Sequence, residues 1–221
     1  MSVERVPLTR GRIVESALEL ARDEGLSGVS MRKLAQELGV EAMSLYHHVP
    51  NKRALLILMA ERSLSNLPPV DPALEWSERL VRLLEDIFRA GVENPAMITV
   101  LAAQELDPGD ADRSEFSALS LIESVLSILA ESGLEPRHRV HAYNSLINLI
   151  YGFVVSRTGA TGAPVAKPSA VRAGLPAGRW ASFPALGALL DELDTADPAA
   201  DLVFSLELYV GALARAVDLS S

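Results

Sequence analysis

The sequence predicts an all-α fold: a three-helix N-terminal unit followed by a larger helical bundle. Three observations predict it. Apolar residues recur at helical spacing along nearly the whole chain, with no convincing strand alternation. Ala and Leu dominate the apolar set while aromatics are only 5%, a balance that favours helices over sheets. Helix starts and stops punctuate the pattern at regular intervals.

Taken in order, Thr9 is placed to cap a first helix whose Ile13, Ala17, Leu20 and Ala21 share one face, with Gly25 as its stop. Ser30 caps a second, with Met31, Leu34, Ala35 and Leu38 turned inward and Gly39 ending it. A short third helix is expected over Ala42–Val49, interrupted by Pro50. Asn51 then caps a fourth that runs to the Pro68-Pro69 pair. A fifth is amphipathic around Leu80, Leu84, Ile87 and Phe88, and Asn94-Pro95 opens a sixth with proline at its favoured first position. Further helices are expected at 112–132, 136–157, 183–194 and 198–217. Residues 158–182, rich in Gly, Ala and Pro, read as a mobile loop. The expected division is residues 1–50 as one domain and 51–221 as a second.

Composition excludes several classes of function. Cysteine is absent, so disulfides, thiolate metal sites and cysteine nucleophiles are all excluded. The first residues, MSVERVPLTRGR, have no apolar segment of the kind a secretory signal needs, and no run of about 18 apolar residues offers a membrane span. A cytoplasmic protein without membrane contact is expected. The net charge is −9, but it is unevenly spread. Residues 1–62 hold nine basic and eight acidic side chains, the remainder eleven and twenty-one. The acid lies away from the N-terminal segment, which permits that segment to meet a polyanion.

The segment MRKLAQELGVEAMSLYHHV has helix-turn-helix spacing. Ala35 is small where the third helix crosses the second, Gly39 supplies the positive φ of the turn, and Leu45 inserts between the helices. An ordinary helical hairpin shares those offsets, so the residues that follow matter. Leu45-Tyr46-His47-His48-Val49 and Asn51-Lys52-Arg53-Ala54-Leu55-Leu56 close the segment. With Arg32-Lys33-Leu34-Ala35-Gln36 and Leu38-Gly39-Val40-Glu41, it resembles the TetR, or tetracycline-repressor, family of transcriptional regulators. The likeness is dense over residues 9–60. It continues more weakly at 142–158 and 183–217, notably Phe204-Ser205-Leu206-Glu207-Leu208.

The resemblance implies a homodimer that binds palindromic operator DNA and is released by a small-molecule effector. It implies that Arg32 reads a base, as a guanidinium grips guanine bidentately, with Lys33 beside it. Tyr46, His48 and Lys52 match phosphate-contacting positions, Ser44 a hydroxyl contact, and His47 a recognition-helix position that is often aromatic. Ala42 and Met43 depart from the family's tetracycline-responsive pattern of glutamine and proline, and can offer only apolar contact to a thymine methyl. A metal pair at His47-His48 is discounted because adjacent helical positions point about 100° apart.

In the C-terminal part, the helices at 136–157 and 198–217 are apolar on nearly every side, through Leu146, Ile147, Leu149, Ile150 and Phe153, and through Leu202, Val203, Phe204, Leu206 and Leu208. Such helices need cover on both sides, which points to a four-helix interface with a second copy. Asn144, Asn148 and Tyr151 fall on one stripe. They read either as lining a pocket or as a core amide or inter-subunit bond, and Thr99 and Gln104 are the other polar residues expected near a cavity. At Asn148 the chain departs from a histidine in the tetracycline-responsive pattern, and an amide is a poor ligand for a tightly held divalent ion. No metal or cofactor is expected, and the effector is expected to be apolar or weakly polar.

Two other readings compete. One is a DNA-binding dimer whose C-terminal domain takes no effector. The other is a hydrolase using His138 or His141 with a serine, but neither a nucleophile elbow nor a Gly-rich oxyanion segment accompanies them. No catalytic residue is expected. The fourth helix, running from Lys52 toward Pro68, is the expected lever between the two parts.

Overall fold

A computed structural model describes residues 7–97, 114–158, 168–174 and 177–218. The described residues form twelve α-helices, one 3-10 turn and no strand.

The N-terminal helices begin where side chains satisfy free backbone N–H groups. α1 (Arg10–Glu24) is capped by Thr9, whose Oγ1 accepts from the Arg12 N–H at 3.3 Å, and it stops at Gly25 with φ 74°. α2 (Met31–Leu38) is capped by Ser30, whose Oγ accepts from the Lys33 N–H at 3.2 Å. Gly39 closes α2 in the left-handed region at φ 64°, and the Val40 N–H reaches back to the Ala35 carbonyl at 3.0 Å. α4 (Lys52–Ser65) is capped by Asn51, whose Oδ1 accepts from the Ala54 N–H at 2.8 Å.

α3 (Ala42–Tyr46) is shorter than the Ala42–Val49 expected. Both the His48 and Val49 N–H groups donate to the Leu45 carbonyl, at 2.9 and 2.8 Å, so the chain turns out of the helix there. Val49 precedes Pro50, and the proline ring disfavours helical backbone at the residue before it. Val49 nevertheless stays fully buried and completes the first core.

The larger bundle is built from α5 (Trp76–Glu93), α6 (Ser114–Glu131), α7 (Pro136–Thr158) and α12 (Pro198–Asp218). α5 packs against α6, α7 and α12, so it is the bundle's central helix. Its buried Leu80, Leu84, Ile87 and Phe88 recur at helical spacing, as read from sequence, and Leu83 is buried with them. Short helices α8 (Pro168–Ala173) and α9 (Ala177–Trp180) lie within the span read as a loop. The single helix expected at 183–194 is two, α10 (Pro184–Ala188) and α11 (Leu190–Thr195). Exposed Leu189 breaks them with φ −117° and ψ 18°, and α10 buries no residue that packing would use to hold it in line.

Two hydrophobic cores result, and their division runs along α4. Leu55 and Met59 belong to the first core with Ile13, Leu34, Ala35, Leu45 and Val49. Ala60 and Leu64 belong to the second with Leu80, Ile87, Leu129, Leu146, Ile150 and Leu206. The same crossing recurs just after α5, where buried Ala96 joins the first core and buried Met97 the second. Burying Leu55 and Met59 completely contributes about 1.5–3 kcal/mol each, so α4 is anchored in both units by substantial terms.

Candidate nucleic-acid interface

α2 and α3 are held at a fixed angle by the fully buried Leu34 and Leu45 and by Ala35, which is 4% exposed. The other side of the pair faces solvent. Arg32, Met43, Tyr46 and His47 are all exposed there, and Met43, at 67%, is the most exposed large apolar side chain among the described residues. Lys52 is exposed at the start of α4, next to the end of α3.

The remaining expected residues are less open. Ala42 packs partly against the first core, Ser44 and His48 are half-buried, and Lys33 shares its charge with Glu24 of α1 in an ion pair. Two further residues stand out in the structure. Gln36 is exposed one turn after Arg32 on α2. Arg10 of α1 donates from Nε to the His48 carbonyl at 3.3 Å, fixing the end of the recognition helix. The helical spacing of Gln36 was visible in sequence, whereas the Arg10 contact spans 38 residues and was not.

In the bundle, Ala142, Leu146, Ile150 and Val154 form the buried stripe of α7. Asn144, Asn148 and Tyr151 fall on its outer side and are exposed. They line neither of the two cavities described next, because the core claims the other face of this nearly all-apolar helix. Thr99 and Gln104 lie outside the described residues. His138 and His141 are exposed near the start of α7. Among the described residues no group of three or more His, Asp or Glu side chains is placed to hold a metal ion, and no helix is long and apolar enough to cross a membrane.

The larger cavity, about 640 Å³, is an open cleft between the end of α4, the segment that follows it, α5 and α6. Leu64, Leu67, Val70, Leu83, Leu121 and Ile128 give it apolar walls, and Arg79, Glu131 and four serines give it polar groups. Its wall at Leu64 and Ser65 is the C-terminal end of the helix that begins with Lys52. A second, more polar cavity of about 300 Å³ lies between α1, α4 and α5, where the two cores meet. Beside it Arg62 of α4 pairs with Glu15 of α1 at 2.7 Å.

Comparison with known proteins agrees with this architecture. Residues 13–59 match the family model described as bacterial regulatory proteins, tetR family, and residues 67–214 match the tetracyclin repressor-like C-terminal domain. The chain is 35% identical over 153 residues to the HTH-type transcriptional repressor DrrR1 of Streptomyces coeruleorubidus. That match covers 67% of this chain and 52% of DrrR1, so the chain spans about half the length of that relative. It is 28% identical over 173 residues to the tetracycline repressor protein class D of Escherichia coli, covering 76% of this chain and 75% of the relative. The crystal structure of a possible TetR family transcriptional regulator from Streptomyces coelicolor A3(2) has a TM-score of 0.76 at 28% identity, covering 94% of this chain and 99% of that one. With a helix-turn-helix held by one core, a helical bundle by another, and both halves matched by the corresponding models, the chain belongs to the TetR family of bacterial transcriptional regulators.

Proposed function

We propose that the chain is a repressor that binds a near-palindromic operator as a homodimer, acts in the cytoplasm, and is released by a predominantly apolar small molecule. The observation that carries the DNA reading is the α2–α3 surface, rigid behind and open in front, with Arg32, Met43, Tyr46 and His47 in solvent. In this reading Arg32 and the recognition-helix residues Ala42, Met43, Ser44 and His47 meet bases. Lys33, Tyr46, His48 and Lys52 set register on the phosphates.

Dimerisation is supported by apolar side chains left outside the chain's own core. Val140 and Tyr151 of α7 are 52% and 39% exposed, and Phe204 and Leu208 of α12 are 63% and 56% exposed. α7 and α12 pack on each other, so these outward faces belong to neighbouring helices. Asn144 and Asn148 share that outer side of α7, which favours their role between two copies over a role in a single-chain pocket.

Release by an effector is supported by the cleft at the end of α4, and this favours a ligand-responsive regulator over a dimer without one. A molecule that fits the cleft better when the two DNA-binding units are displaced lowers operator affinity. A coupling of about 1–3 kcal/mol corresponds to about 5–150-fold.

Selection of bound genomic DNA, repeated in the presence of candidate metabolites, tests the whole reading. One near-palindromic sequence is expected to be enriched, and some hydrophobic metabolite is expected to abolish the enrichment. Enrichment of no sequence sinks the operator reading. Magnesium–tetracycline is expected to leave operator binding unchanged, since the family resemblance sets Asn148 where tetracycline-responsive members carry a histidine, and an amide is a poor ligand for a tightly held divalent ion. Release at micromolar concentration, reversed by EDTA, contradicts that expectation.

A further inference from the structure

Among the described residues one oxidisable sulfur lies open to solvent, the thioether of Met43. The chain has no cysteine, and Met31, Met43, Met59 and Met97 are its described methionines. Met59 and Met97 are fully buried and Met31 is 7% exposed, each held in one of the two cores. Met43 belongs to neither core and is 67% exposed. A buried thioether is reached only when its core opens, whereas Met43 meets a dissolved oxidant in the folded state. Its position matters as much as its exposure. Tyr46 and His47, also exposed, follow it by three and four residues, and His47 keeps helical backbone, so the three share one stripe of α3. That stripe belongs to the surface read above as meeting DNA.

Resting on that DNA reading, we propose that Met43 is a modification site for hydrogen peroxide, and that its conversion to the sulfoxide releases the operator. The sulfur lone pair attacks one peroxide oxygen and the O–O bond breaks. The transferred oxygen gives up its proton to the departing hydroxide, which leaves as water. Sulfur loses one electron pair and the peroxide gains it, so no further reactant is needed. A thioether offers DNA only apolar contact, of the kind a thymine methyl accepts. The sulfoxide brings a polar oxygen to the same place, where it loses water on binding and finds no donor on a methyl group. The oxidised chain therefore binds less tightly. Bound operator in turn covers the sulfur and shields it from the oxidant.

The test treats the full chain with hydrogen peroxide and maps the added oxygen by mass spectrometry. The tryptic peptide of residues 34–52 carries Met43 and no other methionine, so its oxidation is read separately. It is expected to gain oxygen well before the peptides carrying Met31, Met59 and Met97, and more slowly when the operator enriched from genomic DNA is bound. The treated chain is expected to bind that operator about 5–100-fold more weakly, the range for burying one polar group without a partner. Its urea midpoint should be unchanged, because Met43 packs in neither core. Methionine sulfoxide reductases acting on both epimers are expected to restore binding. Met43→Leu, whatever its own starting affinity, is expected to bind equally before and after treatment. Even oxidation of the four methionines overturns the proposal. So does native affinity in a chain oxidised at Met43, or a peroxide-induced loss that persists in Met43→Leu. Failure of the untreated chain to bind any operator sinks the DNA reading and this proposal with it, whereas operator binding that peroxide leaves intact sinks this proposal alone.

Discussion

The Asn94 side chain donates from Nδ2 to the Met59 carbonyl at 3.0 Å, and Met59 is the last α4 residue of the first core. The same amide nitrogen lies 2.9 Å from Ser63 Oγ, and Asn94 Oδ1 accepts from the Ala96 N–H at 3.2 Å. Asn94 is 2% exposed, and its bonds to Met59 and Ala96 are buried. This one amide ties the end of α5 to the middle of α4, where the DNA-binding unit and the bundle share a helix.

Truncation at this point should be costly. Asn94→Ala leaves the buried Ala96 N–H without its acceptor and is expected to lower stability by about 1–3 kcal/mol, read as a lower urea midpoint at unchanged slope. Asn94→Asp keeps that acceptor but loses the donors to Met59 and Ser63, and should not restore the native midpoint. A native midpoint in Asn94→Ala would show that the amide does not hold the junction.

On the DNA side, two exposed cations should behave differently. Arg32→Ala is expected to relax preference at one base pair per half-site, costing about 1–3 kcal/mol there. Lys52→Ala should weaken all sequences alike and flatten the salt dependence. Binding assays on a panel of single-base operator variants, repeated across salt concentrations, distinguish the two. A uniform loss in Arg32→Ala rules out base reading.

Assembly can be tested on α12 with a matched pair of variants. Phe204 points outward, whereas Leu206, two residues on, is fully buried in the chain's own bundle. Phe204→Glu is therefore expected to give a folded monomer by light scattering. Leu206→Glu should unfold the bundle itself, because it buries an unpaired charge. If the native chain is a dimer, its two half-site centres should lie about 34–36 Å apart or a multiple of that. A Phe204→Glu dimer of native stability would place the interface elsewhere.

Acidity should act through α4 as well. Glu61 is half-buried there, and desolvation by burial raises its carboxyl pKa above the ordinary carboxylate value. The folded state therefore holds this proton more tightly than the unfolded chain does. The residue is neutral in its effect below the unfolded pKa and destabilising once pH rises through the folded one. Glu61→Gln is expected to raise the urea midpoint at about pH 7 and to leave it unchanged at about pH 4. Equal shifts at both values would point to a cause other than its charge.

Local chemistry was legible in the residues themselves. Thr9, Ser30 and Asn51 each accept from a backbone N–H three residues ahead, so their effect is decided within one helical turn. Gly25 and Gly39 take positive φ for the same local reason. The helix-turn-helix was legible too, because Leu34, Ala35 and Leu45 are close in sequence as well as in space.

What the chain could not state in one dimension is which side of an apolar helix turns inward. The residues of α7 and α12 allow several inward faces. Only packing against α5 selected Leu146 and Leu206 for the core, leaving Asn148 and Phe204 outside. The division of α4 between two cores, the Asn94–Met59 bond and the approach of Arg79 to Glu131 were decided the same way. The two bonds join residues 35 and 52 positions apart, and that proximity exists only once the helices have packed. Periodicity carries a helix and its caps because their partners lie within a turn, whereas the choice among faces is made by the shape and burial of whatever neighbour arrives.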